Sequence, residues 1–117
     1  MTHRGALSKP QSDGIDIPTD AEAGLAASRF AMLSDPTRLK ILWLISRQEQ
    51  DVTTIAGLIA ITPTVASQHL AKLRLAGLVN VRADGKRRLY AVHGSHMRTL
   101  IEEALGEAEH HLSGIAD

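Results

Sequence analysis

The chain has 117 residues, zero formal net charge at neutral pH and no cysteine. That length holds one domain with a core of its own, and the missing thiols exclude disulfides, zinc ribbons, thiol redox switches and thiolate metal sites together. Aromatic residues make up only 3%, so the core must be aliphatic, and no apolar run approaches the roughly 20 residues of a membrane span, which predicts a soluble cytoplasmic protein with no membrane partner.

Residues 1–18, broken by Pro10 and Pro18 and rich in Gly, Ser and Asp, read as a flexible tail. A folded domain is predicted over 19–112, with 113–117 as a C-terminal tail. Thr19 and Glu22 have the spacing of a capping box, opening a first helix that carries Leu25, Phe30, Met32 and Leu33. Asp35-Pro36 opens a second, with Leu39, Ile41, Leu42, Leu44 and Ile45 apolar. A third is predicted from near Thr53 to about Ile61, with Ile55, Leu58 and Ile59 inward. Thr62-Pro63 caps and starts a fourth, for which Val65, Leu70 and Leu73, continued by Leu78, supply the inward stripe. Residues 78–82 and 88–92 read as strands around Asp84-Gly85, a strong hairpin signal. Ser95 is the predicted cap of a final helix to about Leu112.

The order α-α-α-α-β-β-α describes a mainly α fold with a small β-hairpin, a winged helix-turn-helix. Such a fold reads DNA with its fourth helix, where Thr64, Ser67, Gln68, His69 and Lys72 lie off the apolar stripe. Four of the seven residues from Arg82 to Arg88 are basic: Arg82, Lys86, Arg87 and Arg88. These are expected to hold phosphates or the minor groove of double-stranded DNA. From Thr99 onward every formal charge is acidic, so the chain's neutrality hides a basic reading end and an acidic last helix.

Asp35-Pro36-Thr37-Arg38, Val65-Ala66-Ser67-Gln68-His69-Leu70 with Leu73, Gly77-Leu78-Val79, and Gly85 to Tyr90 together resemble the ArsR/SmtB family of metal-responsive repressors, over residues 20 to 112. The resemblance implies a homodimer, formed through the first and last helices, that occupies operator DNA and usually leaves it when metal binds.

The last helix repeats Met97, Leu100, Ile101, Ala104, Leu105, Ala108 and Leu112 on a face suited to a partner. Another face carries His96, Glu103, Glu107 and His110. Glu107 lies about 20° and His110 about 40° from His96 around the axis, yet about 16 and 21 Å away along it. One ion cannot span that distance. Two such helices, antiparallel about a two-fold axis near residue 102, would set His96 of one subunit beside Glu107 and His110 of the other, giving two equivalent sites.

The family's last-helix sensors carry Asp-x-His, ten residues, then His-x-x-His or His-x-x-Glu. This chain keeps His96 and His110 but has Gly94 for the Asp and Glu107 for the first later His. His93, Glu109 and His111 are further candidate ligands, and Glu109-His110 resembles a pair used by nickel and cobalt sensors of the family. The family's thiolate site, in the third helix, is replaced by Val52-Thr53-Thr54. Imidazole and carboxylate donors suit Ni(II), Co(II) or Zn(II). His3 tips the choice toward nickel: once Met1 is removed, amine, amide and imidazole form a nitrogen-rich chelate favoured by Ni(II) or Cu(II), and some nickel-sensing members similarly add an N-terminal histidine.

Two other readings remain: a regulator of the same fold without metal sensing, and a protein-interaction module that leaves DNA alone. An enzyme is disfavoured, since the chain has no Gly-rich phosphate loop and no nucleophile paired with a base.

Overall fold

A computed structural model describes residues 14–114. The predicted order is found: α1 (Asp20–Leu33), α2 (Pro36–Arg47), α3 (Val52–Ile59), α4 (Pro63–Leu75), β1 (Val79–Asp84), β2 (Arg87–Val92) and α5 (Ser95–Ser113). The chain forms two compact units, one ending at Ala31 and one starting at Met32. In the first, the capping box closes as its spacing requires. The Thr19 N–H donates to Glu22 Oε1 at 2.9 Å, and the Glu22 N–H to Thr19 Oγ1 at 3.1 Å. Leu25 and Phe30 are exposed on this helix.

The second unit is built on an aliphatic core. Ile41, Leu42 and Ile45 of α2 meet Ile55 and Ala56 of α3, Ala66, Leu70 and Leu73 of α4, and Met97 and Ile101 of α5. Leu78, Val79 and Val92 close the base of the hairpin over it. Each fully buried Leu or Ile contributes about 1.5–3 kcal/mol relative to leaving it in water. Asp35 caps α2 by accepting from the Arg38 N–H at 2.8 Å, with Pro36 in the first turn. That bond is the main cause holding the Asp35 carboxyl below its ordinary range.

Four expectations need correction. α3 starts at Val52, near Thr53 as expected, with Asp51 as its cap accepting from the Thr54 N–H at 2.8 Å, but it ends at Ile59 and not at about Ile61. Leu58 is 65% exposed. The α3 stripe is centred between Ile55 and Ala56, which puts Leu58 about 110° away from it. In α4 the inward positions are Ala66, Leu70 and Leu73, spaced i, i+4, i+7, and Val65 turns out to solvent at 37% exposure. Ser95 makes no cap, because Gly94 occupies that place with φ 87° and ψ 152°, a conformation open essentially to glycine alone.

The hairpin is tighter than the five-residue loop expected from the sequence. Asp84 pairs with Arg87, leaving Gly85 and Lys86 as a two-residue turn. Gly85 has φ 63° at the first central position, where a type II′ turn calls for glycine. Gln50, in the α2–α3 connection, adds a single rung on the free edge of β2. Its N–H donates to the Tyr90 carbonyl at 3.2 Å and its carbonyl accepts from the Tyr90 N–H at 2.9 Å.

Candidate nucleic-acid interface and metal-ligand face

The fourth helix is anchored at both ends of its buried stripe and presents the rest to solvent. Thr62 Oγ1 accepts from the Val65 N–H at 3.1 Å, and Pro63 sits in the first turn. Thr64, Ser67, Gln68 and Lys72 are exposed, and His69 is half-buried. The His69 charge also acts on Asp35, lowering that carboxyl further. Half-buried at this position, His69 can serve packing as well as DNA contact.

Between α4 and the hairpin lies an open cleft lined by Thr53, Ser67, Arg74, Lys86, Arg88 and Tyr90, among others. Arg74 and Thr53 were not singled out from the sequence. Arg74 follows Ser67 by seven residues, two helical turns, so the same-face spacing was there to be found. Leu75, 90% exposed, borders the same cleft.

The four wing cations are not equivalent. Arg82 grips Glu49 with both ends of its fork: Nε–H donates to Oε2 at 2.9 Å and to Oε1 at 3.1 Å, and Nη2–H to Oε1 at 2.8 Å. Arg87 Nε–H donates to Asp51 Oδ2 at 3.0 Å. Lys86 and Arg88 are exposed and form no ion pair among the described residues. The Arg82 guanidinium holds the Glu49 carboxyl below its usual range. Asp51 is lowered by its hydrogen bonds from Thr54 and, less, by Arg87. Both pairs are therefore intact at neutral pH and are lost only as pH falls through these depressed values.

On α5, His96, Glu103, Glu107 and His110 are exposed, as are His111 and Glu109. Among the described residues no three His, Asp or Glu side chains gather closely enough to hold an ion. This agrees with the axial separation read from the sequence. Glu109 borders a cleft with Trp43 and Arg47 of α2, about 100° around the helix from His110. His93 Nδ1 accepts from the Asn80 side-chain amide at 3.0 Å, and the His93 N–H donates to the Leu78 carbonyl at 2.9 Å. That ring is tied to the wing's base. His3 lies outside the described residues.

Arg47 of α2 places its guanidinium 5.0 Å above the Trp43 ring and donates to Glu102 of α5 at 3.2 Å. No helix is long and apolar enough to cross a membrane among the described residues.

The family model described as bacterial regulatory protein, arsR family, matches residues 35–81. The chain is 38% identical over 102 residues to the HTH-type transcriptional regulator KmtR of Mycobacterium tuberculosis, spanning 87% of this chain and 78% of that protein. It is 32% identical over 101 residues to NmtR, an HTH-type transcriptional regulator of the same organism, spanning 86% and 84%. Among solved structures, a homodimeric winged helix-turn-helix DNA-binding domain from Mycobacterium bovis superposes with TM-score 0.73 at 29% identity, covering 86% of this chain and 95% of that one. The antimony-specific transcriptional repressor AntR gives TM-score 0.78 at 25% identity, covering 90% and 96%.

Proposed function

This chain belongs to the ArsR family of bacterial regulatory proteins, a family of transcriptional regulators and not of enzymes, and on that footing we propose that it is a homodimer that reads operator DNA through α4 and answers to a divalent metal ion through α5. The observation that carries the DNA reading is the cleft in which Ser67 and Arg74 of α4 face Lys86 and Arg88 of the wing. Thr64, Ser67 and Gln68 supply short polar groups for base edges in the major groove. Lys72, Arg74, Lys86 and Arg88 supply charge for phosphates. Arg82 and Arg87 are already paired with Glu49 and Asp51, whose carboxylates offset their charge and compete with phosphate for them.

Chelator-treated protein, titrated onto labelled DNA from upstream of its own gene and followed by anisotropy, tests this division. Gln68→Ala should cost about 1–3 kcal/mol on the operator and little on random duplex, the size of one lost bidentate base contact. Arg88→Ala should weaken every duplex and flatten the salt dependence by about one unit. If both changes weaken operator and random DNA alike, α4 is not the reading helix.

For the metal, α5 offers half-sites. His96 of one subunit with Glu107 and His110 of the other provide two imidazoles and a carboxylate, a donor set that fits Ni(II), Co(II) or Zn(II). The bound ion supplies electrostatic cross-linking of the two α5 helices. The chain transmits the result through a short path. Only His93 and Gly94 separate β2 from α5, and the His93 N–H bonds the Leu78 carbonyl at the head of β1. A shift of α5 therefore acts at the base of the wing. One observation favours a second reading, a regulator indifferent to metal: Gly94 sits at φ 87°, so the aspartate common there in the family is replaced by a residue with no ligand.

A further inference from the structure

We propose that Glu49 and Asp51 occupy the wing arginines as internal stand-ins for DNA phosphates, holding down the protein's affinity for DNA of any sequence. The proposal rests on the wing facing DNA and adds to that reading a pair of acidic residues acting through Arg82 and Arg87.

The placement follows from the backbone. The two hydrogen bonds between Gln50 and Tyr90 lay the α2–α3 connection along the edge of β2. The acidic residues on either side of Gln50 then fall next to the wing: Glu49 reaches Arg82 on β1 and Asp51 reaches Arg87 on β2. A carboxylate presents two oxygens to a guanidinium fork much as a phosphate does. The Glu49–Arg82 pair uses that geometry fully, with three contacts between 2.8 and 3.1 Å.

Both pairs are open to exchange. The side chains of Arg82 and Arg87 remain 58% and 56% exposed, so a phosphate can reach them. The pairs are not what ties the wing to the connection, because the Gln50–Tyr90 rung does so through main-chain atoms. Binding to random DNA draws almost entirely on phosphate contacts and the counterions they release. An arginine whose charge a carboxylate already offsets adds little to it. The wing then holds random DNA mainly through Lys86 and Arg88.

Glu49→Gln in the full chain is the direct test, with a random-sequence duplex titrated over a series of salt concentrations. The freed Arg82 should add one phosphate contact, steepening the salt slope by about 0.9 and tightening binding about eight-fold near 0.1 M salt. The double variant Glu49→Gln/Arg82→Gln should lose that gain. Asp51→Asn, which keeps a side chain able to cap α3, should act in the same direction through Arg87. The control is Lys86→Gln/Arg88→Gln. If the control leaves random-DNA binding intact, the wing does not face DNA and this proposal falls with that reading. If the control weakens binding while Glu49→Gln leaves affinity and slope unchanged, or lowers them, the proposal alone is overturned, and the pairs serve only to position the wing.

Discussion

Chains carrying His96→Ala should lose metal binding, chains carrying His110→Ala should lose it as well, and a mixture of the two should recover part of it. The expectation follows from the geometry of α5, where the two histidines share a face but sit about 21 Å apart along one helix. No cluster able to hold an ion forms among the described residues of one subunit. In the proposed dimer each site takes His96 from one subunit and His110 from the other. A heterodimer of the two variants concentrates both lesions in one site and leaves its twin intact. Each variant alone should bind Ni(II), Co(II) or Zn(II) more than about 100-fold more weakly, since losing even a residue that only orients a ligand costs 10- to 100-fold. After the subunits are mixed and exchanged, titration should find one tight site per heterodimer. Recovery of nothing would sink the shared site, and unchanged affinity in the single variants would return both histidines to the surface.

Leu70→Ala should be among the most damaging single changes to stability. Leu70 is fully buried on α4 between helices and hairpin, and truncating such a leucine costs about 2–5 kcal/mol through lost burial and the cavity left behind. Against a total stability of about 5–15 kcal/mol, that is a large share. Leu75, one and a half turns further along the same helix, is the matched control at 90% exposure. Its change to alanine should stay within about 0.5 kcal/mol. Urea unfolding of both variants decides the matter: the midpoint should fall sharply for Leu70→Ala and barely move for Leu75→Ala. Equal losses would mean that Leu75 is covered in the assembled protein, and the reading of that face as an open DNA-binding surface would fail.

The helix starts at Thr19, Asp35 and Thr62 were legible because a cap is a local bond, made three residues ahead in sequence. The hairpin was legible for the same reason, since Gly85 marks its turn. Phase along a short helix was less so. Val65 and Ala66 both continue an apolar pattern, and only packing against Ile41 and its neighbours decides that the smaller one turns inward. Ser95 looked like a cap until Gly94 took that place with its positive φ. Most hidden were the wing's ion pairs, whose partners stand 33 and 36 residues apart in sequence. Sequence counted four wing cations as equals, and the fold commits two of them to carboxylates. On α5 the helical spacing gave the ligand face, but the position of Glu109 toward Trp43 and Arg47 depends on how α5 lies against α2.

The chain has a single tryptophan, so its ultraviolet emission reports from one place. Trp43 lies on the outer side of α2, 39% exposed, beneath the Arg47 guanidinium that also reaches Glu102 of α5. A movement of α5 that carries Glu102 away removes the contact that holds Arg47 over the indole, and should alter the ring's polarity and its access to quenchers. The protein therefore carries its own optical gauge of α5, readable in unlabelled material on the timescale of mixing.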